Sequence, residues 1–315
     1  MKLSLVDPNS PRSAQVETMR EACATNGFFR VPLSSIPANV AGEAWGLAKA
    51  FFSLPTAHKE AVGFPEPGYP YGYSEYGLEA LARSLGNHDA VGDMKESFSV
   101  GPDCGIDAAM VPATDASAWI RSASLWPAQI PELRDAWERY YQALAVVAAE
   151  LMSVMAEALE LPSDYFEPFI DRPITSMRAL HYPAVPNQAP SALRAGAHTD
   201  YGTLTILRTD DVAGLQIHTD DGWWDVPPDP DTFVVNLGDT IAQWTNDRWR
   251  STLHRVVPGA EPRQSMAFFH MANWDATIEC LPTCRTHGEA PRHQPAQAGP
   301  WLMRKFQSTV DSGDR

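Results

Sequence analysis

From Thr175 to Met271 the chain breaks into short runs of β-branched and aromatic residues separated by Gly, Pro and Asp-rich turns, and this texture narrows the available folds more than any other feature. The spacing predicts strands over Ser176–Tyr182, Gly196–Thr199, Thr203–Arg208, Leu215–His218, Trp223–Val226, Phe233–Leu237, Thr252–Val257 and Gln264–Met271. About eight strands at this interval suit a sandwich or a barrel-like double sheet. Asp220-Asp221-Gly222 supplies a tight-turn signal between two of them.

The first half reads differently. Val16, Met19, Ala22 and Cys23 recur at helical spacing within Ser13–Thr25, and Asn26-Gly27 stops that helix before a strand-like Phe28-Phe29-Arg30-Val31. A second helix is predicted over Ala38–Leu54, ended by Pro55. A third begins at Pro131-Glu132 and runs to Leu161, with a continuous apolar stripe from Leu133 through Trp137, Tyr140, Leu144 and Leu151 to Ala158. Between them Gly63–Gly77, with three Pro, four Gly and four Tyr, reads as an ordered loop. The expected organisation is a helical N-terminal region, residues 1–170, fused to a mainly β core, residues 171–315, in an α+β chain.

A chain of 315 residues, 44% hydrophobic and 20% charged, can bury one large core. Its net charge of −15 repels a phosphate backbone, and no basic run offsets it, so nucleic acid is not an expected partner. The longest apolar stretch, Ala143–Ala149, is cut by Glu150, so no membrane span is expected. Met1–Ser10 lacks the layout of a secretion signal, and a cytoplasmic location is the expectation. Four scattered cysteines make no disulfide framework, and Cys280 and Cys284 have no second pair with which to hold zinc.

His198-Thr199-Asp200 places two metal-capable side chains where the alternation at a strand end aims both the same way. His254 follows 54 residues after Asp200, on a strand that can lie beside the first. Two imidazoles and a carboxylate on one face of an iron leave open positions for substrate chemistry, as in non-haem iron(II) oxygenases. A second triplet, His218-Thr219-Asp220, runs straight into the Asp221-Gly222 turn and is better explained as turn chemistry. Nine and eleven residues after His254, Arg263 and Ser265 share a strand face, a pairing that suits a carboxylate. Taken alone, Arg263 is better explained by a surface ion pair with Glu261.

The segments Leu180-His181-Tyr182-Pro183, Ala197-His198-Thr199-Asp200-Tyr201-Gly202-Thr203-Leu204-Thr205, Gly214-Leu215-Gln216, Asn236-Leu237-Gly238-Asp239, Ser251-Thr252-Leu253-His254-Arg255-Val256 and Arg263-Gln264-Ser265, in this order, resemble the 2-oxoglutarate- and iron(II)-dependent dioxygenases related to isopenicillin N synthase. The likeness extends upstream to Asn26-Gly27-Phe28-Phe29 and Lys95-Glu96-Ser97-Phe98. It implies a double-stranded β-helix, or jelly-roll, backed by helices. It further implies that His198, Asp200 and His254 hold iron(II), and that Arg263 and Ser265 grip the far carboxylate of 2-oxoglutarate, with Tyr182 adding a hydrogen bond. Leu180-His181 stands where the family commonly has Asn-Tyr.

The reaction so implied consumes O2 and 2-oxoglutarate and oxidises a C–H bond of a small molecule, giving succinate and CO2. Hydroxylation is the expected outcome, with desaturation or cyclisation open, in a secondary-metabolite role such as antibiotic biosynthesis. Two other readings stand: an oxidase like isopenicillin N synthase that needs no 2-oxoglutarate, and a non-catalytic binding protein on the same fold. Arg178, on the strand face of Tyr182, can serve the co-substrate or form a structural ion pair. Tyr71, Phe98, Phe269 and Met271 are pocket candidates, with core packing as the alternative for the last two. His181 and His270 point away from the ligand face, Asn236 and Asp239 read as turn residues, and the oligomeric state is not legible.

Overall fold

The computed structural model describes residues 2–66, 68–86, 91–114, 117–184, 193–286 and 288–310. The first half contains helix α1 (Arg12–Thr25), strand β1 (Phe28–Pro32), helices α2 (Ala38–Phe52) and α3 (Thr56–Glu60), strands β2 (Gly72–Ser74) and β3 (Glu96–Val100), and helices α4 (Glu132–Ala158) and α5 (Glu167–Ile170). Eight strands and a short helix follow: β4 (Ser176–Tyr182), β5 (Ala195–His198), β6 (Leu204–Thr209), β7 (Leu215–Thr219), β8 (Gly222–Asp225), β9 (Thr232–Leu237), α6 (Asp239–Trp244), β10 (His254–Val256) and β11 (Arg263–His270). The short strands β12 (Thr277–Ile278) and β13 (Ala296–Gln297) precede the C-terminal helix α7 (Ala298–Val310).

The strands form two facing antiparallel layers. The larger sheet runs β1-β9-β6-β11-β4-β3-β2 and the smaller β5-β10-β7-β8, a jelly-roll. Three of the seven strands in the larger sheet come from before residue 170, so the N-terminal region is more than a helical support. Phe28–Val31 is legible as a strand, whereas the runs of β2 and β3 sit among loops and carry too little alternation to read as part of a sheet. The Asp220-Asp221 turn joins β7 to β8 as expected, with Asp220 exposed on it and paired to Arg250.

Alternation along each strand sorts side chains to two sides. Met177 and Ala179 of β4, Met266 and Phe268 of β11, Ile206 of β6 and Val235 of β9 join a core with Trp137, Tyr140, Leu144 and Met152 of α4. Leu180, Tyr182 and Ala267 face the other way, toward Ala195 and Val256 of the smaller sheet. By length and composition α4 is long and apolar enough to cross a membrane, but it is a core helix here, with Trp137 donating through Nε1 to the carbonyl of Ala44 at 3.2 Å. All four cysteines are free, and Cys23, Cys104 and Cys280 are buried.

Candidate active site

His198 is the last residue of β5, and the ladder with β10 sets it directly opposite His254. Their ring centroids lie 4.3 Å apart. Asp200, two residues further on, brings Oδ1 to 3.7 Å from His198 Nε2 and 3.8 Å from His254 Nε2. One ligand atom from each residue falls within 4.8 Å of the others, the only such group of three or more His, Cys, Asp or Glu among the described residues. An ion between them would touch two nitrogens and one oxygen.

Hydrogen bonds to the remaining polar atoms prepare this donor set. His198 Nδ1 donates to the carbonyl of Gly196 at 2.8 Å, and His254 Nδ1 to that of Thr252 at 3.0 Å. A carbonyl only accepts, so each Nδ1 carries the proton and each Nε2 keeps its lone pair for a metal. Asp200 Oδ2 accepts from Thr205 Oγ1 at 2.6 Å and Asn236 Nδ2 at 2.7 Å, which turns Oδ1 toward the imidazoles. Burial, reinforced by His254, pushes His198 down to about 4, with Asp200 opposing. Burial works against charge on Asp200, yet the two imidazoles and the two donors on Oδ2 hold its carboxyl below the usual range. A neutral imidazole beside a carboxylate is the state that binds a divalent ion.

Backbone contacts fix the loop carrying Asp200. Asp239 N donates to the Asp200 carbonyl at 2.7 Å and Gly238 N to Thr203 O at 2.9 Å. A Cβ on Gly238 would overlap the backbone of Gly202, so this close approach requires glycine. Phe28 of β1 packs edge-on against the His254 ring at 5.7 Å, one way the N-terminal region supports the site.

Along the inner face of β11, Arg263 pairs in register with Tyr182, Ser265 with Leu180 and Ala267 with Arg178, while Phe269 pairs with Thr205 on β6. Arg263 is buried, places Cζ 5.0 Å from the centre of the Tyr182 ring and donates to Ser265 Oγ at 3.3 Å. Its Nε is buried with no partner among the described residues. Glu261 is exposed and does not pair with it, so the surface ion pair does not form. A buried guanidinium with spare donors suits an anion arriving from outside the chain.

Other candidates fall elsewhere. Arg178 Nη1 binds Glu79 at 2.9 and 3.0 Å and its Nε donates to Ser99 Oγ at 2.7 Å. It stands about 13 Å along β4 from Tyr182, at ~3.3 Å per residue, so the assignment to the co-substrate is corrected to the ion pair. Glu79 also meets Lys95; burial opposes its charge, but Arg178 and Lys95 hold its carboxyl down to about 2. Phe98 is corrected to a core residue: its strand neighbours Ser97 and Ser99 occupy the inner face, and its ring packs against Phe51 and Trp137. Tyr71 is also buried structure, its ring filling the space above Gly101 and its hydroxyl turned to Ile120 O at 3.4 Å. Phe269 and Met271 remain on the inner side, in a cluster with Ile174, Tyr201, Trp274 and Leu302.

Sequence reasoning missed Thr205 and Asn236, the latter lying inside β9 rather than in a turn, and Asp93, whose Oδ1 accepts from Gly196 N at 2.8 Å. Asp239 opens α6 and pairs with Lys305 of α7 at 3.0 Å. His270 and His181 bind Thr203 and Glu96, away from the triad.

Two β layers with a His, Asp, His cluster between them define a non-haem metal oxygenase, and comparison with known proteins agrees. Residues 173–272 match the model of the 2OG-Fe(II) oxygenase superfamily, and residues 1–129 match that of the non-haem dioxygenase in morphine synthesis N-terminal family. A 2-oxoglutarate-Fe(II) type oxidoreductase of Emericella nidulans is 33% identical over 288 residues, 89% of this chain and 80% of the relative. One from Aspergillus fumigatus is 31% identical over 95% of this chain and 89% of its own length. The crystal structure of a full-length Neurospora crassa protein in complex with alpha-KG superposes with a TM-score of 0.83 at 28% identity, covering 98% of this chain and 96% of that one. The chain belongs to the 2OG-Fe(II) oxygenase superfamily and is a 2-oxoglutarate-dependent dioxygenase that uses iron(II) and O2.

Proposed function

We propose that the chain hydroxylates a C–H bond of a small, ring-containing molecule, with iron(II) on His198 Nε2, Asp200 Oδ1 and His254 Nε2. The far carboxylate of 2-oxoglutarate sits on Arg263 and Ser265, with Tyr182 beside it. The observation that carries this reading is the pairing, across the two facing sheets, of a metal-ready triad on the smaller sheet with a buried guanidinium on the larger one that lacks a partner for Nε among the described residues. An oxidase needing no 2-oxoglutarate can hold a substrate carboxylate on the same pair, and dependence of oxygen uptake on 2-oxoglutarate separates the two readings. Bound iron would supply the activation of O2, and overall one 2-oxoglutarate, one O2 and one R–H become succinate, CO2 and R–OH.

The protein's own contribution is placement. Thr205 and Asn236 hold the Asp200 carboxylate in one orientation, the Gly196 and Thr252 carbonyls fix the imidazole tautomers, and Arg263 sets the register of the co-substrate along β11. Phe269, Met271 and Tyr201 present apolar and aromatic surface on the same side, which suits a flat substrate and excludes water. The full-length N. crassa protein has also been crystallised with alpha-KG and thymine, a small ring of this kind. A secondary-metabolite role, antibiotic biosynthesis among them, fits the breadth of small molecules such enzymes oxidise. Unpaired thiols fit the cytoplasm, and the net charge of −15 disfavours nucleic acid.

An anaerobic titration of the metal-free protein with iron(II) and then 2-oxoglutarate tests the assignment. The weak visible charge-transfer band of a keto acid chelated to iron should grow to saturation in the wild type and be absent in His254→Ala. Tight iron binding with no band at any 2-oxoglutarate concentration would overturn the co-substrate site.

A further inference from the structure

A second guanidinium lies near the Tyr182 ring. Arg194, just before β5, is fully buried, and its backbone N donates to Val256 O at 2.9 Å. Its Nη2 donates to the carbonyls of Gly259, at 2.7 Å, and Glu261, in the turn that leads into Arg263. Its Nε and Nη1 are buried with no hydrogen-bond partner among the described residues. Gly259 makes room for the group, because a Cβ there would come within 3.1 Å of Nη1. The Arg194 Cζ is 6.0 Å from the centre of the Tyr182 ring that also carries Arg263 at 5.0 Å.

Two buried guanidiniums therefore share one aromatic ring, and neither binds a carboxylate among the described residues. An acid that acts on both is Asp210, whose oxygens are turned to the backbone N–H groups of Gln264 and Val212. Burying a cation without a counter-ion is costly, and two side by side repel each other. A ligand that brings a full negative charge relieves both.

We propose that Arg194 is a second cation of the far-carboxylate subsite and a determinant of co-substrate specificity, favouring a keto acid with an ionised distal carboxylate over one that ends in a methyl group. The inference rests on the assignment of Arg263 to that carboxylate. For a charge ~6–10 Å from the carboxylate at an effective dielectric near 20, its removal weakens an anion by roughly 10- to 100-fold.

The test is the same anaerobic titration with two keto acids of equal length, 2-oxoglutarate and 2-oxopentanoate, on the wild type, Arg194→Gln and Arg194→Lys. Arg194→Gln should raise the Kd of 2-oxoglutarate roughly 10- to 100-fold and leave that of 2-oxopentanoate within about twofold, while Arg194→Lys retains most of the preference. Equal weakening of both acids would make Arg194 a turn clamp and overturn the proposal, as would an unchanged Kd for 2-oxoglutarate. Should Arg194→Gln fail to fold, Arg194→Met, which keeps the aliphatic stem without the charge, is titrated in its place and read by the same two outcomes. Arg263→Gln separates the two failures. If it too leaves 2-oxoglutarate binding intact, the carboxylate subsite itself is misplaced; if it abolishes binding while Arg194→Gln has no effect, only the role of Arg194 falls.

Discussion

Replacing Thr205 by Val removes one donor from Asp200 while keeping the shape of a β-branched side chain on β6. The bond lost is short, 2.6 Å, and its acceptor is charged. Such bonds contribute about 1.5–3 kcal/mol. The bond exists with and without iron, so most of its energy cancels from metal affinity and should appear instead as lost stability of the metal-free fold, about 1.5 kcal/mol because Asn236 still serves the same oxygen at 2.7 Å. What does not cancel is orientation: with one donor gone the carboxylate samples rotations that metal binding must then freeze. Losses of outer hydrogen bonds of this kind typically cost 10- to 100-fold in metal affinity, and the remaining donor places this one near ~10-fold. The assay is anaerobic competition for iron(II) against a chelator of known affinity, with circular dichroism to confirm the fold. Removing a donor also makes the carboxylate more basic, which by itself would tighten metal binding. Iron affinity that is unchanged or improved in a folded Thr205→Val protein would refute the view that Thr205 orients Asp200.

Arg263→Ala should raise the Kd for 2-oxoglutarate on the order of 100-fold with iron affinity little changed; titration of the two ligands in sequence separates the effects, and equal losses of both would remove the co-substrate role. Burial lowers His270 to about 4. The unfolded chain therefore takes up a proton near pH 6.5 that the folded one refuses until about pH 4, and the stability tied to this group, present above pH 6.5, falls as pH drops through that window. The loss amounts to ~3 kcal/mol at about 1.36 kcal/mol per unit. His270→Gln, which can still bond Thr203, should flatten this part of the urea-midpoint profile, and an unaltered slope would count against it. Trp137→Ala, removing a fully buried ring from α4 and its bond to Ala44, should cost about 4 kcal/mol in chemical unfolding; a loss below about 1 kcal/mol would mean that α4 is not central to the core.

The amino-acid order alone located every strand from β4 to β11 to within a few residues and the three longest helices in the first half, because alternation and helical spacing are local properties. It also placed His198, Asp200 and His254 as one candidate set and put Arg263 and Ser265 on a common face, since a period of two fixes relative side-chain direction without knowledge of the partner strand. For β3 it did not say which of the two faces looks inward. Phe98 and Ser99 are neighbours on β3, yet one enters the helix-backed core and the other meets Arg178 across the inner face. Nor did it name partners far away in the chain. Glu79 reaches Arg178 across 99 residues, Asn236 reaches Asp200 across 36, and the turn clamped by Arg194 begins 65 residues later. These pairings depend on the order of strands within the two sheets, which follows from how whole layers bury their faces against each other. Local pattern determined which residues were available for chemistry; tertiary packing decided which were taken up by an ion pair, as Arg178 was, and which stayed buried with donors to spare, as Arg263 and Arg194 did.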